Sequence, residues 1–204
     1  MSGRFASTST RVVALVGGSH FVHHTYFMLL PPIFLPLRTD LGLTDPQLGL
    51  ALGTLGLVVT ALQLPYGHLS DTYSRTLVLA MSFVFGATGA VLTAIAWDFQ
   101  SLVFAQVILG IGIAGHHPAH YPLISAATTA ATRGRAYSVH GFTGTLGLAT
   151  PPATVALFAT MGLDWRLAIW AIAIVGAVYG AACILSFRWF VDPGVTRPPT
   201  RDRP

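Results

Sequence analysis

Six long apolar runs separated by short polar turns decide what this chain can fold into. They cover roughly residues 12–36, 47–69, 77–97, 101–126, 137–160 and 166–190, and a helix needs about 20 mostly apolar residues to cross a bilayer. In hydrocarbon every backbone N–H and C=O must be satisfied inside the chain, which leaves α-helices as the spanning structure here. The expected fold is an all-α integral membrane protein with six transmembrane helices. One bundle covers residues 12–190, after a tail at 1–11 and before a Pro- and Arg-rich, disordered tail at 191–204. No seventh run is seen. A mean hydropathy of +0.65 with 9% charged residues excludes an ordinary soluble domain. The first run is too long, and too well continued by others, for a cleaved signal peptide.

Charge orients the bundle. The chain has neither Lys nor Glu, so its 11 basic residues are all Arg and its 7 acidic residues all Asp. With the N-terminus inside, Arg4, Arg11, Arg75, Arg133, Arg135, Arg188, Arg197, Arg201 and Arg203 fall on the cytoplasmic side. Only Arg38 and Arg166 fall outside, beside Asp40, Asp45, Asp98 and Asp164. This positive-inside bias predicts a multi-pass protein of the cell membrane, both termini cytoplasmic, with lipid as its surroundings. It also accounts for the pI near 9.7 without nucleic acid, since there is no soluble domain to carry a basic face. Trp97, Trp165 and Trp189 sit at span ends, where interfacial anchors belong. Cys183, alone of its kind, makes no intrachain disulfide.

Two motifs carry more than hydropathy. Between the second and third runs lies GHLSDTYSRT, residues 67–76, in which Gly67, Asp71 and Arg75 are four apart. Gly67 is expected to end a helix, and Asp71 and Arg75 to pair if the segment is helical. The second block, residues 110–152, runs down the fourth span, through Arg133-Gly134-Arg135, and back up the fifth. It holds Gly110, Gly112, His117-Pro118, Gly144, Gly147 and Pro151-Pro152. Small residues so placed let helices pack closely. Pro31, Pro32 and Pro36 in span one, and Pro118 and Pro122 in span four, mark bends.

Both motifs resemble the major facilitator superfamily, N-terminal six-helix half, most closely the fosmidomycin-resistance type. The resemblance covers roughly residues 12–190. It implies half of a major facilitator fold and secondary transport of a small molecule, with proton-coupled efflux as the particular form. It further implies that Asp71 and Arg75, with Arg133 and Arg135, brace a gate. Gly144, Gly147, Pro151 and Pro152 would form the helix-packing motif of span five. Thr72 stands where relatives carry a basic residue, Ser74 where they carry a second Gly, and Pro151 where the antiporter motif has Gly.

Histidine is the unusual chemistry. No carboxylate lies deep in a span; instead span one carries His20, His23 and His24, and span four carries His116, His117 and His120. At 100° per residue each trio fits within an arc of about 100°. His140 is expected near the cytoplasmic start of span five. Ionisable groups at membrane depth face a cavity or a partner. Three readings are open. The histidines can bind substrate or carry protons near neutral pH, with His24 and His117 foremost. They can line a path for a transition metal or its complex, since imidazole binds such ions; no Cys or carboxylate completes a site, so none is assigned. They can also hydrogen-bond neighbouring helices as structural glue. His20 to His24 spells the H-x-x-H-H of a di-iron membrane desaturase, but such boxes belong at helix ends and this one is mid-span. An enzyme is not expected. No P-loop and no other cofactor motif is present, so no cofactor is assigned.

Six helices build one wall of an alternating-access cavity. The expected partner is a second copy, as a parallel homodimer, or a separate six-helix half. The alternatives are an inactive half-transporter and a non-transporting membrane assembly module.

Overall fold

The computed structural model describes residues 2–187, with side chains from Ser9 onward. The helices are α1 Ser2–Phe27, α2 Phe34–Leu41, α3 Asp45–Thr72, α4 Arg75–Ala94, α5 Phe99–Ala114, α6 His116–Ala127, α7 Ala130–Thr160 and α8 Trp165–Ser186. No strand occurs among the described residues. Helices α5 and α6 continue as one span, Phe99–Ala127; with α3, α4, α7 and α8 it makes five helices long and apolar enough to cross a membrane. Helix α1 is long enough at 26 residues, and its polar first turns and three histidines make it the least apolar of the six.

Short polar residues set where the helices begin. Ser74 accepts from the N–H of Leu77, Asp98 from Ser101 and Asp164 from Arg166, satisfying donors that a first helical turn leaves orphaned. Ser101, through its side chain first and its backbone second, holds the Asp98 carboxyl below the usual carboxylate range.

Several boundaries differ from those read in the sequence. The first run is not one helix. Pro31 and Pro32 supply no N–H, so α1 stops at Phe27; a single 3-10 turn at Pro31–Ile33 leads into α2, which ends at Gly42 in the left-handed region, φ 64°. The N-terminal segment read as a tail is helical from Ser2. Gly67 does not end a helix: α3 runs on to Thr72, and open space surrounds Gly67. The chain leaves the helix at Tyr73 and Ser74 re-caps it, so Asp71 ends one helix and Arg75 begins the next. They do not share the continuous turn that the four-residue spacing requires. Arg133, Gly134 and Arg135 are not a loop. Paired capping at Thr129 and Thr132 starts α7 at Ala130, which places both arginines in its first two turns. The same early start puts His140 well inside α7. The fourth span breaks at Gly115, where Pro118 falls in the first turn of α6 and its missing N–H costs nothing. The tail at 191–204 and Trp189 lie outside the described residues.

Packing follows the small residues. Helices α4 and α5 approach until a methyl group on Gly112 would overlap the backbone of Gly86. Helices α1 and α7 do likewise at Gly147, against the carbonyl of Phe21. At the opposite end, three elements are tied together. Trp165 donates Nε1–H to Asp40 at 2.7 Å, and Arg166 donates to the carbonyls of Ala94 and Ala96, both at 2.8 Å. Trp165 is thereby buried, and not the interfacial anchor its sequence position suggests. Helices α3 and α7 are the least covered: 17% of the most apolar stretch of each is buried, against 50% in α4.

Candidate functional site

The α1–α7 contact and the turn of α6 bring together every histidine that sequence reasoning singled out. His20, His23 and His24 come from α1, His116, His117 and His120 from α6, and His140 from α7. Positions i and i+4 lie on one helical face, so His20 and His24 point the same way, as do His116 and His120. The ring of His140 stacks on that of His20, centroids 3.7 Å apart and nearly parallel. His24 packs edge-on to His20 at 4.1 Å, and His117 lies 5.2 Å from it. His20, His23, His116, His120 and His140 are buried, while His24 and His117 are half-buried and reach the surface of the bundle. Gly144 makes room for this: a methyl group there would overlap the His20 ring.

Hydrogen bonds fix which nitrogens carry hydrogen. A carbonyl only accepts, so His20 donates Nδ1–H to the carbonyl of His140 at 2.6 Å. His24 donates Nδ1–H to Gly144 at 3.1 Å, and His116 to Gly112 at 3.1 Å. The Nε2 atoms of these three rings are therefore lone pairs. That of His20 lies 3.2 Å from Nε2 of His117, which must supply the hydrogen. On the other side His120 links Nε2 to the Ser19 hydroxyl at 2.8 Å and Nδ1 to Nε2 of His140 at 3.2 Å. Two buried atoms, Nδ1 of His23 and Nε2 of His116, have no hydrogen-bond partner.

The cluster contains no carboxylate. Asp40, Asp45, Asp98 and Asp164 cap or flank helices, and Asp71 ends α3. Three uses remain open to imidazoles so held: accepting a proton, binding an anion once charged, or ligating a metal. Sequence reasoning missed Tyr121, whose exposed ring stacks on His117 at 5.6 Å, and Tyr137, which shares a 2.7 Å hydrogen bond with Ser125. Their spacing was a usable signal, since Tyr121 is four residues after His117 and Tyr137 three before His140. The residues read as gating lie elsewhere. Arg135 lines a cleft between α1 and α7 with Ser9, Thr10 and Val139, and exposed Arg133 reaches only the carbonyl of Ser125, at 3.5 Å.

The sequence profile of the Major Facilitator Superfamily matches residues 16–204. The chain belongs to the major facilitator superfamily. It is thus a multi-pass membrane protein of a family of small-molecule transporters. Among relatives, the 3-(3-hydroxy-phenyl)propionate transporter of Escherichia coli is 35% identical over 149 residues, 70% of this chain and 34% of that one. The probable sulfoacetate transporter SauU of Cupriavidus necator is 31% identical over 76% of this chain and 35% of its own length. The fosmidomycin resistance protein of Escherichia coli is 28% identical over 55% of this chain and 28% of its own. A crystal structure of a bacterial homolog to the human lysosomal transporter Spinster, inward-facing and unoccupied, superposes with a TM-score of 0.76 at 16% identity. It covers 88% of this chain and 43% of that one, and establishes the fold. The chain thus spans about a third of the length of the first two relatives, and this superfamily member has the architecture of one six-helix half.

Proposed function

We propose that this chain forms one half of a secondary transporter for a small organic anion, with the histidine cluster on its transport path. The observation that carries the reading is the convergence of His20, His24, His117 and His140 from three helices, with His24 and His117 at the open edge. A ring that gains a proton there meets a carboxylate with a charge-assisted hydrogen bond, and a ring that loses it lets the anion go. Proton and substrate are coupled by that exchange. The first two relatives, named for transport of a propionate and of sulfoacetate, support an acidic substrate, and an anion held by a protonated ring moves in the same direction as its proton.

The second wall comes from another six-helix unit. Helices α3 and α7 are the least covered, and Gly49, Gly53 and Gly56 form a stripe on α3 with open space around each. Stripes of small residues let membrane helices approach closely. A parallel second copy supplies such a wall by the same two-fold relation that links the halves of full-length members. Both termini face the cytoplasm in this arrangement, with Asp71, Arg75, Arg133 and Arg135 on that side.

The test is uptake of 3-phenylpropionate and sulfoacetate into proteoliposomes under an imposed pH gradient. Flux should follow the gradient and fall at least tenfold in His24→Gln and His117→Gln, with folding intact, while exposed His68→Gln behaves as the parent. Gradient-independent flux, or full activity in both cluster variants, rules the coupling out.

A further inference from the structure

We propose that His20, His24 and His117 form a three-imidazole site for a divalent transition metal, open at its fourth position. It draws on two rings of the transport reading, His24 and His117, but its test needs no transport. One ring nitrogen from each of the three lies within 4.8 Å of the other two. The Nε2 atoms of His20 and His117 are already 3.2 Å apart. Two nitrogens on one tetrahedral zinc, each at about 2.0–2.1 Å from it, are separated by about 3.3 Å. Two ligands of the set thus stand at the spacing a metal requires, and a nitrogen of His24 lies within 4.8 Å of both.

The surroundings are those of a ligand set. A metal-binding histidine characteristically donates its other N–H to a carboxylate or a backbone carbonyl, which fixes the ring and points the remaining lone pair inward. His20 does so to the carbonyl of His140 and His24 to that of Gly144, both on α7. His117 gives up Nε2–H for its other tautomer on binding, so a neutral ring serves and no net proton is released. Beside the triad, the buried rings of His23 and His116 face each other at 4.5 Å, and each leaves one nitrogen without a hydrogen-bond partner. His23 lies 5.1 Å from His24 and 4.9 Å from His117. His23 thus lies against two of the three ligand rings. The donors are all nitrogen and there is no carboxylate, which favours zinc, cobalt, nickel or copper over magnesium or calcium. Three neutral imidazoles leave the dication's charge intact, so the fourth position favours an anionic oxygen.

The experiment is a titration of the full chain, purified without a polyhistidine tag and held in nanodiscs, with Co2+ alone. We expect visible absorption bands of tetrahedral intensity that saturate at one ion per chain and vanish on addition of Zn2+. His24→Gln and His117→Gln should each weaken binding at least tenfold, and His68→Gln should leave it unchanged. Circular dichroism and elution volume of each variant report whether it has folded. The parent chain decides the matter if a variant does not fold: absence of saturable bands there overturns the proposal. So does a stoichiometric signal that survives in both folded cluster variants.

Discussion

At the scale of single residues, what matters is how little room the helices leave. Gly147 faces the carbonyl of Phe21, a backbone atom that cannot swing aside, whereas Gly53 has nothing within 4 Å. Gly147→Ala should therefore destabilise the bundle by about 1–3 kcal/mol, as overpacking does. Within a single bundle, Gly53→Ala should cost nothing and gain up to about 1 kcal/mol of helix propensity. Thermal unfolding in detergent distinguishes them, and equal effects would refute the close α1–α7 contact. Gly144 stands between these cases. Its neighbour is the His20 ring, which can move only by giving up its bond to the His140 carbonyl, so packing and chemistry are coupled at one position.

At the scale of elements, the bundle depends on a few polar ties where helices end. Arg166, at the start of α8, donates to the carbonyls of Ala94, the last residue of α4, and of Ala96 just beyond it, and lies over the Trp165 ring at 4.4 Å. Trp165 in turn holds Asp40 of α2. A short Asp-Trp-Arg sequence thus joins three elements far apart in the chain. Arg166→Ala should cost about 1.5–3 kcal/mol, the range for hydrogen bonds to a charged group, and Arg166→Lys should recover only part of it because an ammonium lacks the planar face that lies over the Trp165 ring. Unfolding midpoints of the two variants check this; no loss in Arg166→Ala would show the tie to be incidental. The break at Gly115 works at the same scale. It re-aims α6 so that His116 and His120 turn inward while His117 stays at the edge.

For the whole molecule, the uneven covering of the helices is the informative fact. Helix α4 lies between α5 and α8 and is well buried, while α3 and α7 present apolar surface outward. In the proposed pairing a second six-helix unit covers those two helices. The expected outcome for the chain expressed alone in nanodiscs is a dimeric mass, with crosslinks between cysteines placed at positions 49 or 53 of two copies. A monomer that still transports would defeat the pairing.

Much of this was legible without coordinates. Run length and the absence of charge fixed the spans, because lipid permits few structures. Arginine placement indicated an orientation, and the two histidine trios announced themselves by helical spacing. The fine boundaries were not legible. Gly67 and the Arg-Gly-Arg segment carry turn-like residues, yet the helices run through them: the N–H groups of Tyr73 and Ser74 close α3 on the carbonyl of Leu69, and the paired capping of Thr129 and Thr132 starts α7 early. Periodicity gives the face of a helix but neither its depth nor its rotation against a neighbour. Those are set by where small residues let backbones touch, at Gly112 on Gly86 and Gly147 on Phe21. Sequence alone therefore determined the membrane bundle and its family likeness, and singled out the histidines that packing gathers. Only tertiary packing decided that His140 stacks on His20 across 120 residues, and that the Nε2 lone pair of His20 meets the Nε2–H of His117.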